Sequence, residues 1–221
     1  MSTILISGAA RGLGLELARQ YAADGWRVIG TVRDAKAKLP DGVEAHVADV
    51  TRPEQIHTIA KALKGTALDI LFCNAGIIGK RGMALGSFDY ASWEEVLRVN
   101  VLGAAALAEA FVDNVAASER KVIAMMSSRL GSIAEAGGMT LPYATSKAAL
   151  NMLVKGFAAT LGAKGVRVVA LSPGWVRTDM GGSGAPLAPE TSVAGLRKVI
   201  AGLAPSDSGG FFSHDGSPIP W

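Results

Sequence analysis

Tyr143 and Lys147 stand four residues apart in the run Tyr143-Ala-Thr-Ser-Lys147, near the start of a stretch with helical spacing. On a helix this places a phenol and an ammonium on one face, about one turn apart. A phenol with its ordinary pKa, about 10, exchanges protons poorly at neutral pH. A nearby cation favours the phenolate and lowers that value. Such a pair could give a proton to a carbonyl oxygen or take one from an alcohol. Alone, the spacing is better read as an aromatic anchor beside a solvated lysine. Ser128 shifts the balance, because it ends a predicted strand and its hydroxyl could bond a substrate oxygen near Tyr143. Ser127 should face the other side of that strand and satisfy its own loop. Asn100 is a lone polar residue in an apolar helical stretch. It either satisfies backbone groups or holds a water linking Lys147 to solvent.

A second group suits phosphate. The β-branched run Ser2–Ser7 is followed at once by Gly8-Ala-Ala-Arg-Gly12-Leu-Gly14, after which Leu13, Leu17 and Tyr21 recur at helical spacing. A helix N-terminus offers free N–H groups and a positive dipole end. Glycines let the backbone approach a ligand where a Cβ would clash.

The elements that must position these groups alternate along the chain. Strands are expected at Trp26–Val32, Val43–Ala48, Leu68–Cys73, Lys121–Met126, Val166–Leu171 and Gly210–Ser213. Helices are expected from a capping box Thr51-Arg-Pro-Glu54 to about Lys64, from a second box Ser92-Trp-Glu-Glu95 to about Val115, from Pro142 to about Leu161, and over Thr191–Leu203. Most strands are continuous apolar runs, as expected when helices cover both faces of a sheet. The pattern predicts an α/β fold, a single-domain doubly wound parallel sheet (a Rossmann fold) over 1–221, with a short substrate loop near 181–190. Ligands of such sheets bind beyond the carboxyl ends of the strands. Every residue singled out above falls at such an end or on the adjoining helix.

Composition agrees with one domain and a substantial core: 221 residues, 49% hydrophobic and 19% charged, with a net charge of +3. The basic residues are scattered, so no nucleic-acid partner is expected. The most apolar long segment, Val99–Val112, is interrupted by Asn100 and Glu109, and no membrane partner is expected. A single cysteine, Cys73, excludes a disulfide framework. With no signal-like N-terminal segment, a cytoplasmic location is expected. His46, His57 and His214 lack metal-ligand spacing, and no metal is expected.

The set Ser7-Gly8-x-x-x-Gly12-x-Gly14, Asn74-Ala75-Gly76, Asn100, Ser128, Tyr143-x-x-x-Lys147 and Pro173-Gly174 resembles the short-chain dehydrogenase/reductase family, in that family's order and over essentially the whole chain. Met126–Ser132, Pro173–Gly181 and the ending Ile219-Pro-Trp221 resemble its sniffer-type carbonyl reductases and bacterial C-factor-like proteins. The resemblance implies Tyr143 as acid/base, Lys147 lowering its pKa and holding the nicotinamide ribose, Ser128 orienting the carbonyl and Asn100 anchoring a relay water. It implies that Gly8, Gly12, Leu13 and Gly14 wrap the pyrophosphate. Asp49 and Val50 would meet the adenine, and Asn74, Ala75 and Gly76 would line the groove. Pro173, Gly174, Val176 and Thr178 would border the nicotinamide end. There are departures. Ser7 stands where the family usually has threonine, and Cys73 replaces an asparagine. Ser128 and Tyr143 lie fifteen positions apart, longer than usual, so 131–141 should bulge toward the substrate.

An acid about twenty positions beyond the glycine motif would select NAD through the ribose 2′-OH. Here the second strand instead ends Thr31-Val32-Arg33, and Arg11 sits inside the glycine loop. Two guanidinium groups suit a 2′-phosphate, although Asp34 follows directly. NADP(H) is therefore expected over NAD(H). The leading expectation is an NADPH-dependent reductase of a small-molecule ketone or aldehyde, or its reverse as an alcohol dehydrogenase. Met83, Leu85, Phe88, Leu130, Met139, Leu141, Trp175 and Met180 suggest an apolar or aromatic substrate. The alternative is an NADP(H)-binding regulatory or signalling protein of C-factor type with little turnover. A homodimer through the Asn100 and Tyr143 helices is also expected, although Gly103–Ala106 could instead pack on the sheet.

Overall fold

The computed structural model describes Met1–Trp221. Seven strands form one sheet: β1 (Thr3–Ile6), β2 (Arg27–Val32), β3 (Glu44–Val47), β4 (Ile70–Cys73), β5 (Val122–Met126), β6 (Arg167–Ser172) and β7 (Phe211–Ser213). Their order is β3-β2-β1-β4-β5-β6-β7 and every pairing is parallel. The order reverses between β1 and β4, which opens a crevice at the carboxyl edge. Strands β1, β4 and β5 are buried along their whole length, which explains why they read as unbroken apolar runs rather than alternating ones.

Six helices cover the sheet: α1 (Gly12–Ala23), α2 (Pro53–Ala62), α3 (Tyr90–Leu97), α4 (Gly103–Ala116), α5 (Leu141–Leu161) and α6 (Pro189–Gly202). One core of 24 buried residues includes Leu107 and Phe111 of α4, Leu150 and Val154 of α5, and Leu71 and Ile123 of the sheet. A second core of 18 includes Leu17 and Tyr21 of α1, Leu196 and Ile200 of α6, and Ile6 and Phe72 of the sheet. Alternate side chains of one strand feed the two cores. Full burial of each large apolar side chain is worth about 1.5–3 kcal/mol.

Two local expectations are corrected. Helix α2 begins at Pro53, and Thr51 does not cap it, because the Thr51 hydroxyl donates to Asp49 Oδ1 (2.7 Å) instead. Helix α3 begins at Tyr90 rather than after Ser92. Asp89 is its cap, accepting from the Ser92 N–H (3.1 Å), while Ser92 Oγ accepts from the Lys80 N–H (3.0 Å). In both cases a nearer polar partner wins the side chain. The expected long helix through Asn100 is present but is not uniformly α. Arg98–Leu102 forms a π-helical turn between α3 and α4. Such widened turns are rare and gather at functional sites. Gly103 at its end packs on Val50, where a Cβ would come within 2.9 Å of Val50 Cγ2. The start of the small-residue run is thus used inside the chain.

Candidate active site

The loops leaving β1, β2, β4, β5 and β6 enclose a cavity of about 660 Å³. At its centre the glycine loop turns between β1 and α1. Gly8 (φ +70°) and Gly12 (φ +54°) adopt left-handed backbone that β-carbons resist. Gly14 needs to be glycine for a different reason. A Cβ there would lie 2.1 Å from the Gly8 carbonyl oxygen and 2.5 Å from Asn74 Nδ2. Asn74 clamps the loop by donating from Nδ2 to the Ser7 and Gly8 carbonyls (3.0 and 3.2 Å). The buried Ser7 hydroxyl accepts the Asn74 and Ala75 N–H groups, both at 3.0 Å, so serine supplies the oxygen that threonine would.

Of the residues singled out from the sequence, the cavity wall contains Gly8, Arg11, Gly12, Leu13 and Gly14 of the glycine loop, and Arg33, Asp49 and Val50 beyond β2 and β3. It also contains Asn74, Ala75 and Gly76 after β4, Tyr143 and Lys147 of α5, and Pro173 and Thr178 after β6. Asn100, Ser128, Gly174 and Val176 lie outside that wall. Val176 is buried and bridges to Leu187, which ties down the segment after β6. Gly174 makes the turn before it (φ +80°). Asn100 is buried, and both of its amide hydrogens are used. Oδ1 accepts the Ile77 N–H (2.8 Å), and Nδ2 donates to the Ile77 carbonyl and to Ser146 Oγ (both 2.9 Å). Ser146 in turn donates to the Tyr143 carbonyl (2.7 Å). The amide therefore steadies the first turns of α5.

Lys147 is buried and donates to the Met126 carbonyl (2.7 Å); its Nζ sits 5.5 Å from the Tyr143 ring centre. Burial pushes its pKa down to about 8. The Tyr143 side chain is half-buried, and its hydroxyl is desolvated. Burial pushes that pKa up to about 12, against a smaller downward pull from the Ser128 hydroxyl. In the free protein burial thus outweighs the Ser128 hydrogen bond. Ser128 Oγ accepts the Leu130 N–H (3.2 Å), which leaves its own proton free to donate. Ser127, expected to face away and satisfy its own loop, instead borders the cavity, and its hydroxyl donates to Asn151 Oδ1 of α5 (2.6 Å).

Arg11 and Arg33 also line the cavity, and both are exposed. Asp34 Oδ1 accepts the Lys36 N–H (2.8 Å), an Asx turn that occupies one carboxylate oxygen. Burial would raise the Asp49 carboxyl, but hydrogen bonds from Thr51, with Arg33 and Arg52 nearby, outweigh it and hold the group below its ordinary value. Sequence reading missed Arg81 and Asp179, which also line the cavity, as does Met180, one of the apolar residues singled out. Asp179 pairs with Arg11 (3.2 Å), and Arg81 donates to the Met180 carbonyl. Both contacts join segments far apart in the chain, and no local pattern announces them. Cys73 is buried and its thiol is pushed up to about 12, so it is chemically quiet. No group of three or more His, Cys, Asp or Glu side chains converges. No helix is long and apolar enough to cross a membrane.

Residues 2–186 match the short chain dehydrogenase family. The chain belongs to that family. Within it, the C-signal protein of Myxococcus xanthus is 40% identical over 155 residues, spanning 70% of this chain and 93% of that one. The NADPH-bound carbonyl reductase from chicken fatty liver superposes with a TM-score of 0.91 at 30% identity, covering 100% of this chain and 99% of that one. Carbonyl reductase Sniffer of D. melanogaster gives a TM-score of 0.91 at 30% identity over 100% of both chains. This short-chain dehydrogenase is thus an oxidoreductase that uses a nicotinamide cofactor. Its cradle fits a dinucleotide on structural grounds. The glycine loop presents backbone where a Cβ would collide, and one cavity is lined by the two arginines, Tyr143 and Lys147.

Proposed function

We propose that the protein is an NADPH-dependent carbonyl reductase with Tyr143 as its proton donor. The observation that carries this reading is one cavity lined both by exposed Arg11 and Arg33 and by Tyr143 and Lys147. When bound in this cradle, the dinucleotide would supply a hydride to the carbonyl carbon. Tyr143 delivers its hydroxyl proton to the carbonyl oxygen, and its raised pKa keeps that proton in place at neutral pH. Ser128 donates to the same oxygen and holds it against Tyr143. Lys147 holds the nicotinamide ribose and stabilises the phenolate left behind. The Asn100 amide is committed to Ile77 and Ser146, so a relay water toward Lys147 would rest on the main chain there.

Gly8, Gly12, Leu13 and Gly14 take the pyrophosphate at the start of α1. Asp49 and Val50 border the adenine, Asn74, Ala75 and Gly76 the groove, and Pro173, Gly174, Val176 and Thr178 the nicotinamide end. Arg11 and Arg33 take the 2′-phosphate, with Asp34 partly withdrawn into its own turn. Leu130, Leu141, Trp175 and Met180 are all exposed on segments that follow β5 and β6, which favours an apolar or aromatic carbonyl compound. The segment 181–190 forms a short border to that substrate. A homodimer through α4 and α5 belongs to the same proposal, read out as mass by light scattering.

The test is NADPH consumption against aldehydes, ketones, quinones and α-dicarbonyls, with NADH in parallel. Turnover that prefers NADPH supports the reading. Arg33→Ala should raise the NADPH KM by about tenfold or more, the worth of a charge-assisted hydrogen bond, and leave the NADH KM nearly unchanged. Equal effects on both cofactors remove the assignment. The similarity to C-signal favours a second reading, an NADP(H)-binding regulatory protein. Tight NADPH binding with no turnover across the panel selects it.

A further inference from the structure

We infer that Asn151 is a positioning residue for this reaction: it fixes the turn carrying Ser128 at a set distance from Tyr143. The inference rests on the proposed roles of Ser128 and Tyr143. Asn151 lies on α5, one turn beyond Lys147 and two beyond Tyr143, and it is 4% exposed. It has no place on the cavity wall and cannot touch a ligand there.

Its amide holds both feet of one short arch. Oδ1 accepts the Ser127 hydroxyl proton at 2.6 Å, and Nδ2 donates to the Gly131 carbonyl at 3.1 Å. Between those feet stands Ser128, whose carbonyl accepts the Gly131 N–H (2.8 Å) and whose hydroxyl accepts the Leu130 N–H (3.2 Å). The far foot is pressed hard onto α5. A Cβ at Gly131 would come within 2.7 Å of the Lys147 carbonyl carbon and 2.8 Å of its Cβ. Thus the residue that holds the Ser128 turn rides on the same rigid helix as Tyr143 and Lys147.

The chemistry of the bonds fits a register device. An amide donates and accepts at once, so only one orientation of Asn151 serves Ser127 and Gly131 together. Loss of either bond leaves a buried polar group unpaired. The turn could then shift along α5, and the Ser128 hydroxyl would move relative to the Tyr143 hydroxyl. Misplacement of a reacting group by about 1 Å can cost on the order of a hundredfold in rate.

The experiment compares Asn151→Leu, Ser127→Ala and Ser128→Ala with the wild-type protein in NADPH-linked carbonyl reduction. Asn151→Leu should lower kcat by about tenfold to a hundredfold while the NADPH KM stays within about twofold. The limb of the pH profile belonging to Tyr143 should move to higher pH, because the Ser128 hydroxyl that pulls its pKa down is displaced. Ser127→Ala removes one foot and should move kcat and the limb the same way by less. It decides the matter if Asn151→Leu does not fold. A lower melting temperature with unchanged kcat and an unmoved limb in these variants makes Asn151 purely structural and overturns the inference. If only Ser128→Ala loses turnover, the inference alone falls. If Ser128→Ala keeps full turnover, the proposed role of Ser128 falls and takes the inference with it.

Discussion

Tyr143→Phe should abolish carbonyl reduction, with kcat falling by about a thousandfold, within the range that positioned acid–base catalysis contributes. NADPH should still bind, because phenylalanine fills the same wall and the glycine loop is untouched. The fold should hold too, since the Tyr143 hydroxyl forms no bond that stabilises α5; Ser146, itself held by Asn100, donates to the Tyr143 carbonyl instead. Fluorescence titration with NADPH beside a turnover assay checks both halves. A variant that binds NADPH and turns over at the wild-type rate removes Tyr143 from the mechanism.

Lys147→Met should separate stability from activity. The ammonium is buried and donates to one carbonyl, Met126, and its pKa falls from 10.5 to about 8. Carrying the charge at pH 7 therefore costs the native state on the order of 3 kcal/mol. Methionine removes that cost and leaves the Met126 carbonyl unpaired, a penalty of about 1–3 kcal/mol. The variant should thus melt at or above the wild-type temperature at pH 7, with turnover lowered by at least about a hundredfold through the loss of a buried charge.

The pH dependence has a definite sign. The folded-state pKa is depressed, so between about pH 8 and 10 the unfolded chain holds the extra proton, and this group makes wild-type stability rise with pH. Methionine has no such dependence, so any excess stability of the variant should shrink across that window. Wild-type NADPH affinity should decline as pH passes 8, while the variant's should not respond there. Melting curves and NADPH titrations from pH 7 to 10 read both. A variant that melts far below wild type, or a parallel pH response, contradicts this account.

Much of this was legible in the chain. Unbroken apolar runs such as Ile70–Cys73 fixed the strand type, because a strand buried on both faces has no polar side to alternate. The spacing Tyr143 to Lys147 gave the shared face, since helix geometry is local. The illegible parts share a physical cause: they depend on partners brought together only by folding. The direction of the Tyr143 pKa shift depends on how deeply its hydroxyl sits. The pairing of Arg11 with Asp179 spans 168 positions. The hold of Asn151 on Ser127 and Gly131 needs β5 and α5 side by side. Caps failed at Thr51 and Ser92 because Asp49 and Lys80 competed for the same hydroxyls. The π turn has no residue signature, because it is a property of the backbone ladder.

That π turn makes the reach of Asn100 a matter of counting. A π turn amounts to one extra residue in an α-helical rod. Without it, everything beyond would rotate by about 100° around the axis, one residue of a 3.6-residue turn. Val96 before it, Asn100 within it and Leu107 after it are all buried in the present register. Deleting one residue from Arg98–Leu102 would force a choice between seating Leu107 and keeping Asn100 on Ile77 and Ser146. No single side-chain replacement poses that choice. Length here is as strictly specified as residue type, and insertions or deletions in this turn should be tolerated far less well than substitutions.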